Sequence, residues 1–288
     1  MMYWEWASRA GVEHAWLRAF LDELAKDPNA AQNGYYFDAI PWHWYSRPSD
    51  AYDRIRSAAA LLQARGIAGK VMWVNESNAP ACGEPPLNVS CSDPNYRGSA
   101  TIEEQAAYVI QFYAYALAGG VDRSFMFQLR DDGNRESFGL FRNDGTARPA
   151  YAAYQVAVRH MGLATAATRE GTGNVERVTI PTVRGRTTVV WAKGPSSEVA
   201  LVPSVTPTAA LVEQDGTTTT IQAVNGVYSV PLAGATNNKG FNSNPNDYPI
   251  GGRPRLIVES FTGQPVPAPP PGWKRWRVPA LPQRGGLP

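Results

Sequence analysis

The chain has only two cysteines and three histidines among its 288 residues, and that scarcity excludes several chemistries at once. A zinc or other transition-metal site needs clustered Cys and His; no such cluster is present, and no metal is expected. A Gly-rich phosphate loop and a Gly-x-Ser-x-Gly elbow are also missing, which disfavours nucleotide and serine-hydrolase chemistry and leaves no cofactor to expect. The net charge is only +2, without the concentrated basic face of a nucleic-acid binder, so no nucleic-acid partner is expected. No stretch approaches the roughly 18 apolar residues of a transmembrane helix. No secretory signal peptide is visible either.

What is present is enough apolar material, 43% of the chain, to bury a sizeable core, and two domains are expected. From residue 12 to residue 161 helix and strand signals alternate, which argues for βα units around a parallel sheet. Leu17, Phe20, Leu21 and Leu24 form a helical stripe that ends before Pro28. Phe37 to Tyr45 reads as a strand running into an aromatic loop, and residues 51 to 65 as a helix with Ile55, Ala59 and Leu62 on one face and Gly66 as its stop. Thr101-Ile102-Glu103-Glu104 has capping-box spacing and predicts a helix start. That helix carries Val109, Phe112, Tyr113, Ala116 and Leu117 inward until Gly119-Gly120. Ser124 to Leu129 reads as a third strand, and Pro149 as the first turn of a helix whose Tyr154 and Val158 face inward before Gly162.

The run Val71-Met72-Trp73-Val74-Asn75-Glu76-Ser77-Asn78-Ala79-Pro80 carries the most information. Apolar residues on both faces suit a strand covered on both sides, and the run stops abruptly at a carboxylate that opens into a small-residue loop. Catalytic groups of (β/α)8 barrels sit at such C-terminal strand ends. Taken alone, Glu76 reads more readily as a solvated or ion-paired strand-end residue.

Phe37-Asp38 with His43-Trp44-Tyr45, then Trp73 to Glu76, then Phe125 to Leu129, then Phe138-Gly139-Leu140 with Asp144 to Tyr151, in this order, resemble the C-terminal part of a retaining glycoside hydrolase of the clan A barrel type. The resemblance covers roughly residues 3 to 160. It implies an α/β fold, a partial (β/α)8 (TIM) barrel in which Phe37 to Tyr45 is strand six, Val71 to Glu76 strand seven and Ser124 to Leu129 strand eight. It also implies that Glu76 is the nucleophile, that His43 and Tyr45 line the sugar site with the Tyr able to hydrogen-bond the nucleophile, and that the substrate is a carbohydrate bound by O-glycosidic linkages. Asn75 precedes the nucleophile in the same motif. Trp42 and Trp44 could stack on sugar rings or could equally fill a core or interface. At strand eight the sequence departs from the resemblance: Met126 or Phe127 stands where many relatives place a Trp. Arg130, Asp131 and Asp132 would either rim the cleft or be a solvated loop.

A retaining glycosidase needs a second carboxylate about 5–5.5 Å from the nucleophile, and the family's acid/base Glu follows an Asn at the end of strand four. The single Asn-Glu pair of this chain is Asn75-Glu76 itself. A full barrel takes about 250 residues and eight strands, so the expectation is a truncated or split chain, inactive alone, which an N-terminal barrel segment supplied in trans would complete. Tyr3-Trp4-Glu5-Trp6 would then lie in the loop after strand five.

Beyond residue 170 the composition turns to Thr, Val and Gly in short alternating runs, which predicts a small antiparallel β-sandwich. Its seven expected strands are 175–181, 186–191, 199–203, 209–213, 218–223, 227–231 and 255–259, with hairpin turns at Asp215-Gly216 and Asn225-Gly226. The expected domains are therefore residues 1 to 165, residues 170 to 263 as the accessory sandwich, and a Pro-rich disordered tail from 264 to 288. Cys82 and Cys91 either close a short disulfide, which would imply an oxidising compartment and an extracellular or cell-envelope location, or stay as loop thiols. The competing function is a non-catalytic carbohydrate-binding or envelope-associated protein using Trp42, Trp44 and the β-domain.

Overall fold

The structure, a computed structural model, describes residues 14–85, 88–93, 98–131, 137–162, 164, 166–238, 244 and 246–261. The expectations for Tyr3 to Trp6, for Asp132 and for the tail from 264 lie outside these residues.

The first half alternates strand and helix as its periodicity predicts: α1 (Ala15–Leu24), β1 (Ala39–Trp44), α2 (Pro48–Gln63), β2 (Val71–Ser77), α3 (Ile102–Gly119), β3 (Arg123–Ser124) and α4 (Pro149–Met161). The three strands form one parallel sheet in the order β1-β2-β3. Third in that order, β3 is far shorter than the expected Ser124–Leu129. Its continuation still runs beside β2, with Phe125 N–H donating to the Val74 carbonyl (2.9 Å) and Phe127 N–H to that of Ser77 (3.1 Å). Thr101 caps α3 with the expected box: Glu104 N–H donates to Thr101 Oγ1 (3.3 Å) and Thr101 N–H to Glu104 Oε2 (2.8 Å).

Ile40, Trp44, Met72 and Val74 bury one face of the sheet against Leu17 and Leu21 of α1, Ile55 and Leu62 of α2, and Phe112 of α3. The remaining sides of α3, with Val109 and Ile110, pack with Ala153, Val156 and Met161 of α4 against a second sheet. Buried on nearly every side, α3 is apolar all round, as a helix sandwiched between two sheets must be. On α4 the expected inward residue Val158 is exposed. Its inner stripe runs through Ala150, Ala153, Val156, Ala157 and Met161 instead, one residue away from the predicted line.

The second half is antiparallel: β4 (Thr168–Thr172), β5 (Val175–Thr182), β6 (Gly185–Ala192), β7 (Glu198–Pro203), β8 (Thr208–Glu213), β9 (Thr218–Gln222), β10 (Val227–Leu232) and β11 (Arg255–Ser260). Six strands make one sheet in the order β4-β5-β6-β11-β8-β9, and β7 pairs with β10 separately. All seven expected strands are present, and β4 is an eighth that the sequence did not announce, because Thr-Arg-Glu-Gly-Thr has no apolar alternation. The six-stranded sheet is covered twice. Val178, Val189, Trp191 and Leu256 face α3 and α4, whereas Val190, Leu211 and Ile257 face Ala200, Val202, Tyr228 and Val230 of the two-stranded layer. The Asn225-Gly226 turn is tight, both residues having positive φ (50° and 76°), as a two-residue turn demands. It does not pair β9 with β10, however; it throws the chain from one layer to the other.

The whole is thus a mixed fold with one parallel and two antiparallel sheets. Among the described residues no helix is long and apolar enough to cross a membrane.

Candidate active site

Along β1 the side chains alternate, and Ile40, Trp42 and Trp44 all point toward the helices. Trp44 is 2% exposed and lies under the Arg54 guanidinium, 5.6 Å from its ring centroid. Trp42 packs edge-on to His14 at 5.3 Å. A buried ring has no face to offer a sugar, so Trp44 is a core residue and not a stacking platform, and Trp42 shares its side of the sheet.

Regular alternation on β2 would send Glu76 the same way, since Met72 and Val74 face the helices. The register shows why it does not. Trp42 pairs with Val74, but His43 pairs with Glu76 and Trp44 with Ser77, the ladder shifting between Trp42 and His43. Asn75 is the extra residue in β2, and a one-residue slip reverses the side-chain faces beyond it. Ser77 therefore turns to the helices, where its hydroxyl meets Tyr108 Oη at 2.8 Å; burial raises the Tyr108 phenol well above its ordinary value. Glu76 turns to the opposite face with His43.

There the Glu76 carboxylate is 33% exposed, beside a His43 side chain 48% exposed. Tyr45 Oη donates to Glu76 Oε2 at 2.8 Å, and His43 Nδ1 lies 3.1 Å from the same oxygen. Both contacts fall on Oε2, and among the described residues no hydrogen bond reaches Oε1. The Tyr45 ring is wedged edge-to-face between Phe127 (5.9 Å) and Phe138 (5.3 Å). Four expected site residues, His43, Tyr45, Asn75 and Glu76, thus converge, with Asn75 acting through the backbone.

The loops around them are tied by buried polar groups. Asn78 Nδ2 donates to the Phe138 carbonyl (2.7 Å) and Gln105 Nε2 to those of Ala79 (2.9 Å) and Ser137 (3.3 Å). Cys82 and Cys91 form a disulfide in the loop after Glu76. Arg148, wholly buried, grips Asp131 at 2.8 Å and Glu84 at 3.3 Å, and Arg142 holds Glu84 at 2.5 Å. The Arg142 hydrogen bond keeps the Glu84 carboxyl below the ordinary carboxylate range. Asp131 is accordingly an internal strut and not a cleft rim. Arg130 is spent on the Asn143 carbonyl (2.5 Å). Nothing in the sequence near Pro149 announces that Arg148 organises this network.

No protein-family model matches the sequence, and no curated protein does. Solved structures do. A GH30 endoxylanase from Clostridium papyrosolvens C71 is similar at TM-score 0.50 and 10% identity, over 83% of this chain and 52% of that one. A family 39 glycoside hydrolase from Bacteroides cellulosilyticus WH2 is similar at TM-score 0.49 and 16% identity, over 71% and 37%. A glucosidase from Croceicoccus marinus is similar at TM-score 0.49 and 13% identity, over 78% and 54%. The chain spans between about a third and about half of the length of these three proteins. At 10% identity the endoxylanase bears on the fold alone: the arrangement of helices and sheets is one found in a glycoside hydrolase.

Proposed function

We propose that the chain is part of a retaining O-glycosidase acting on oligo- or polysaccharides, with Glu76 as its nucleophile. One observation carries this reading: both polar contacts to Glu76 fall on Oε2, which fixes the carboxylate while leaving Oε1 to attack. Tyr45 and His43 are then positioning groups, and a held nucleophile lowers the barrier by pre-paid orientation. Oε1 bonds to the anomeric carbon as the glycosidic C–O bond breaks, the leaving oxygen taking a proton from a second carboxyl group in its acid form, which becomes a carboxylate. Water, deprotonated by that second carboxylate, then releases the sugar.

In this reading β1, β2 and β3 are strands six to eight of a (β/α)8 barrel, and the antiparallel half is an accessory β-sandwich. The domains divide near residues 165 to 170. The second carboxylate belongs to an upstream barrel segment, so the chain alone is inactive and is completed in trans. The Cys82–Cys91 disulfide supports an exported protein, since such bonds persist in oxidising compartments. The non-catalytic binding reading loses Trp44 as a stacking surface, because that ring is buried.

The test is reconstitution. With the upstream barrel segment fused or added, aryl β-glycosides should be hydrolysed, and a 2-fluoro-glycoside that traps the covalent intermediate should label the peptide containing Glu76. A label elsewhere, or full activity in Glu76→Gln, overturns the assignment.

A further inference from the structure

Three consecutive side chains leave β1 toward three different partners. Tyr45 goes to Glu76 (2.8 Å) and Ser46 Oγ to Asp50 of α2 (2.6 Å). Arg47 goes to Asp247, far along the chain, Nη1 to Oδ1 at 2.5 Å and Nη2 to Oδ2. This fork is two-toothed, and the Asp247 side chain is nearly buried. Such charge-assisted bidentate pairs fix geometry as well as adding energy.

The segment that carries Asp247 is itself firmly seated. Ile250 is buried in the parallel-sheet core. Gln111 of α3 accepts from Gly251 N–H (3.0 Å) and donates to the Gly252 carbonyl (2.9 Å). A Cβ on Gly251 would stand 2.4 Å from the Trp191 ring, so the segment packs directly on the six-stranded sheet. Pro249 and Ile250 also share a cavity of about 160 Å³ with Tyr45, Asn78, Tyr108 and Phe138. Other ties between the halves end on helices or on the loop before α3: Glu176 on Tyr115 (2.7 Å), Arg253 on Glu103 (3.4 Å), Asn237 on Glu104 (3.0 Å) and on the Ser99 carbonyl (2.9 Å). The Arg47–Asp247 fork ends two residues from Tyr45.

We infer that Arg47 and Asp247 are positioning residues through which the antiparallel half sets the Tyr45 hydroxyl on Glu76 Oε2. The inference rests on the reading of Glu76 as nucleophile and deepens it: the second half of the molecule belongs to the active site mechanically, as the anchor of the loop that aims the carboxylate. Loss of the fork frees the Tyr45-Ser46-Arg47 turn to pivot on the Ser46–Asp50 bond, and Tyr45 Oη drifts off Oε2.

The experiment uses the full chain labelled with 3-fluorotyrosine. The ¹⁹F resonance of Tyr45 is identified by its loss in Tyr45→Phe, and its displacement in Glu76→Gln marks the loss of the charged acceptor. Asp247→Asn should move the Tyr45 signal toward the Glu76→Gln position, and Arg47→Lys, which keeps the charge without the fork, should move it part of the way. The exchanged pair Arg47→Asp with Asp247→Arg should bring it back. Tyr115→Phe, which removes the donor of a tie between Glu176 and α3, should leave it in place. A Tyr45 signal that responds to Glu76→Gln but to neither Asp247→Asn nor Arg47→Lys overturns the positioning role alone. One that responds equally to Tyr115→Phe overturns it as well, because any loosening of the halves would then suffice. A signal indifferent to Glu76→Gln overturns both the fork's role and the site it is said to serve.

Discussion

The two large sheets treat their faces differently. The six-stranded sheet is buried on both sides, against α3 and α4 on one and the β7–β10 layer on the other. The parallel sheet is buried only against its helices. On its other face Trp73 is 37% exposed, His43 and Pro41 lie open, and Phe125 on the neighbouring segment is 49% exposed. A face that is closed twice can only be packing; a face left open can carry chemistry, and that is where the slip at Asn75 delivers Glu76. In the proposed reading stability and function thus belong to different surfaces.

The largest effect should come from the open face and leave stability untouched. Glu76→Gln in the reconstituted enzyme is expected to lower turnover on the order of 10⁴-fold or more, with little change in melting temperature, as read by initial rates and thermal denaturation. Next come the tryptophans. Trp191→Ala, in the doubly covered sheet, should cost about 3–5 kcal/mol, whereas Trp73→Ala should cost under about 1 kcal/mol. Urea titrations of both variants decide it, and equal costs would erase the distinction between the faces. Smaller still is Thr101→Ala, which removes one half of the capping box on the helix that serves both sheets and should cost about 1 kcal/mol.

The smallest is a pH effect on the loop network. Glu84 is held below its ordinary carboxylate range by Arg142, so the folded state binds fewer protons there than the unfolded one. Its contribution to stability is present above the ordinary range and is lost as pH falls through the depressed folded value. Glu84→Gln should therefore lower stability at pH 7, and the gap to the parent protein should narrow on acidification. A gap that is constant with pH would mean that the ion pair adds nothing there.

How much of this was legible in the sequence depends on whether the signal was local. The capping box at Thr101, the stop at Gly120 and the strands of the second half are short-range patterns, and they are where the sequence puts them. The convergence of His43, Tyr45 and Glu76 was legible through a resemblance, but its cause was not: strict alternation places Glu76 among the helices, and only the register with β1 reveals the slip. Trp44 misleads for the same reason, since an aromatic beside a site motif says nothing about which way it points. Val158 shows how a helical stripe can be misread by one position. The ion pairs of Arg148 with Asp131 and of Arg47 with Asp247 are invisible to local reading, because the partners lie 17 and 200 residues apart.

The place of β11 has a consequence for how the protein is made. It is the last strand in the described chain, yet it lies at the middle of its sheet, between β6 and β8. During synthesis the β4–β5–β6 and β8–β9 pieces emerge first without a strand to bridge them, each with an edge facing the gap that β11 fills. Only when residue 260 clears the ribosome can Leu256 and Ile257 drop between them and close the cores on both sides at once. A ribosome stalled before that point would carry the loop that ends in Asp247 without the strand that anchors it, so the assembly of the sheet and the aiming of Tyr45 become one late event in the life of the nascent chain.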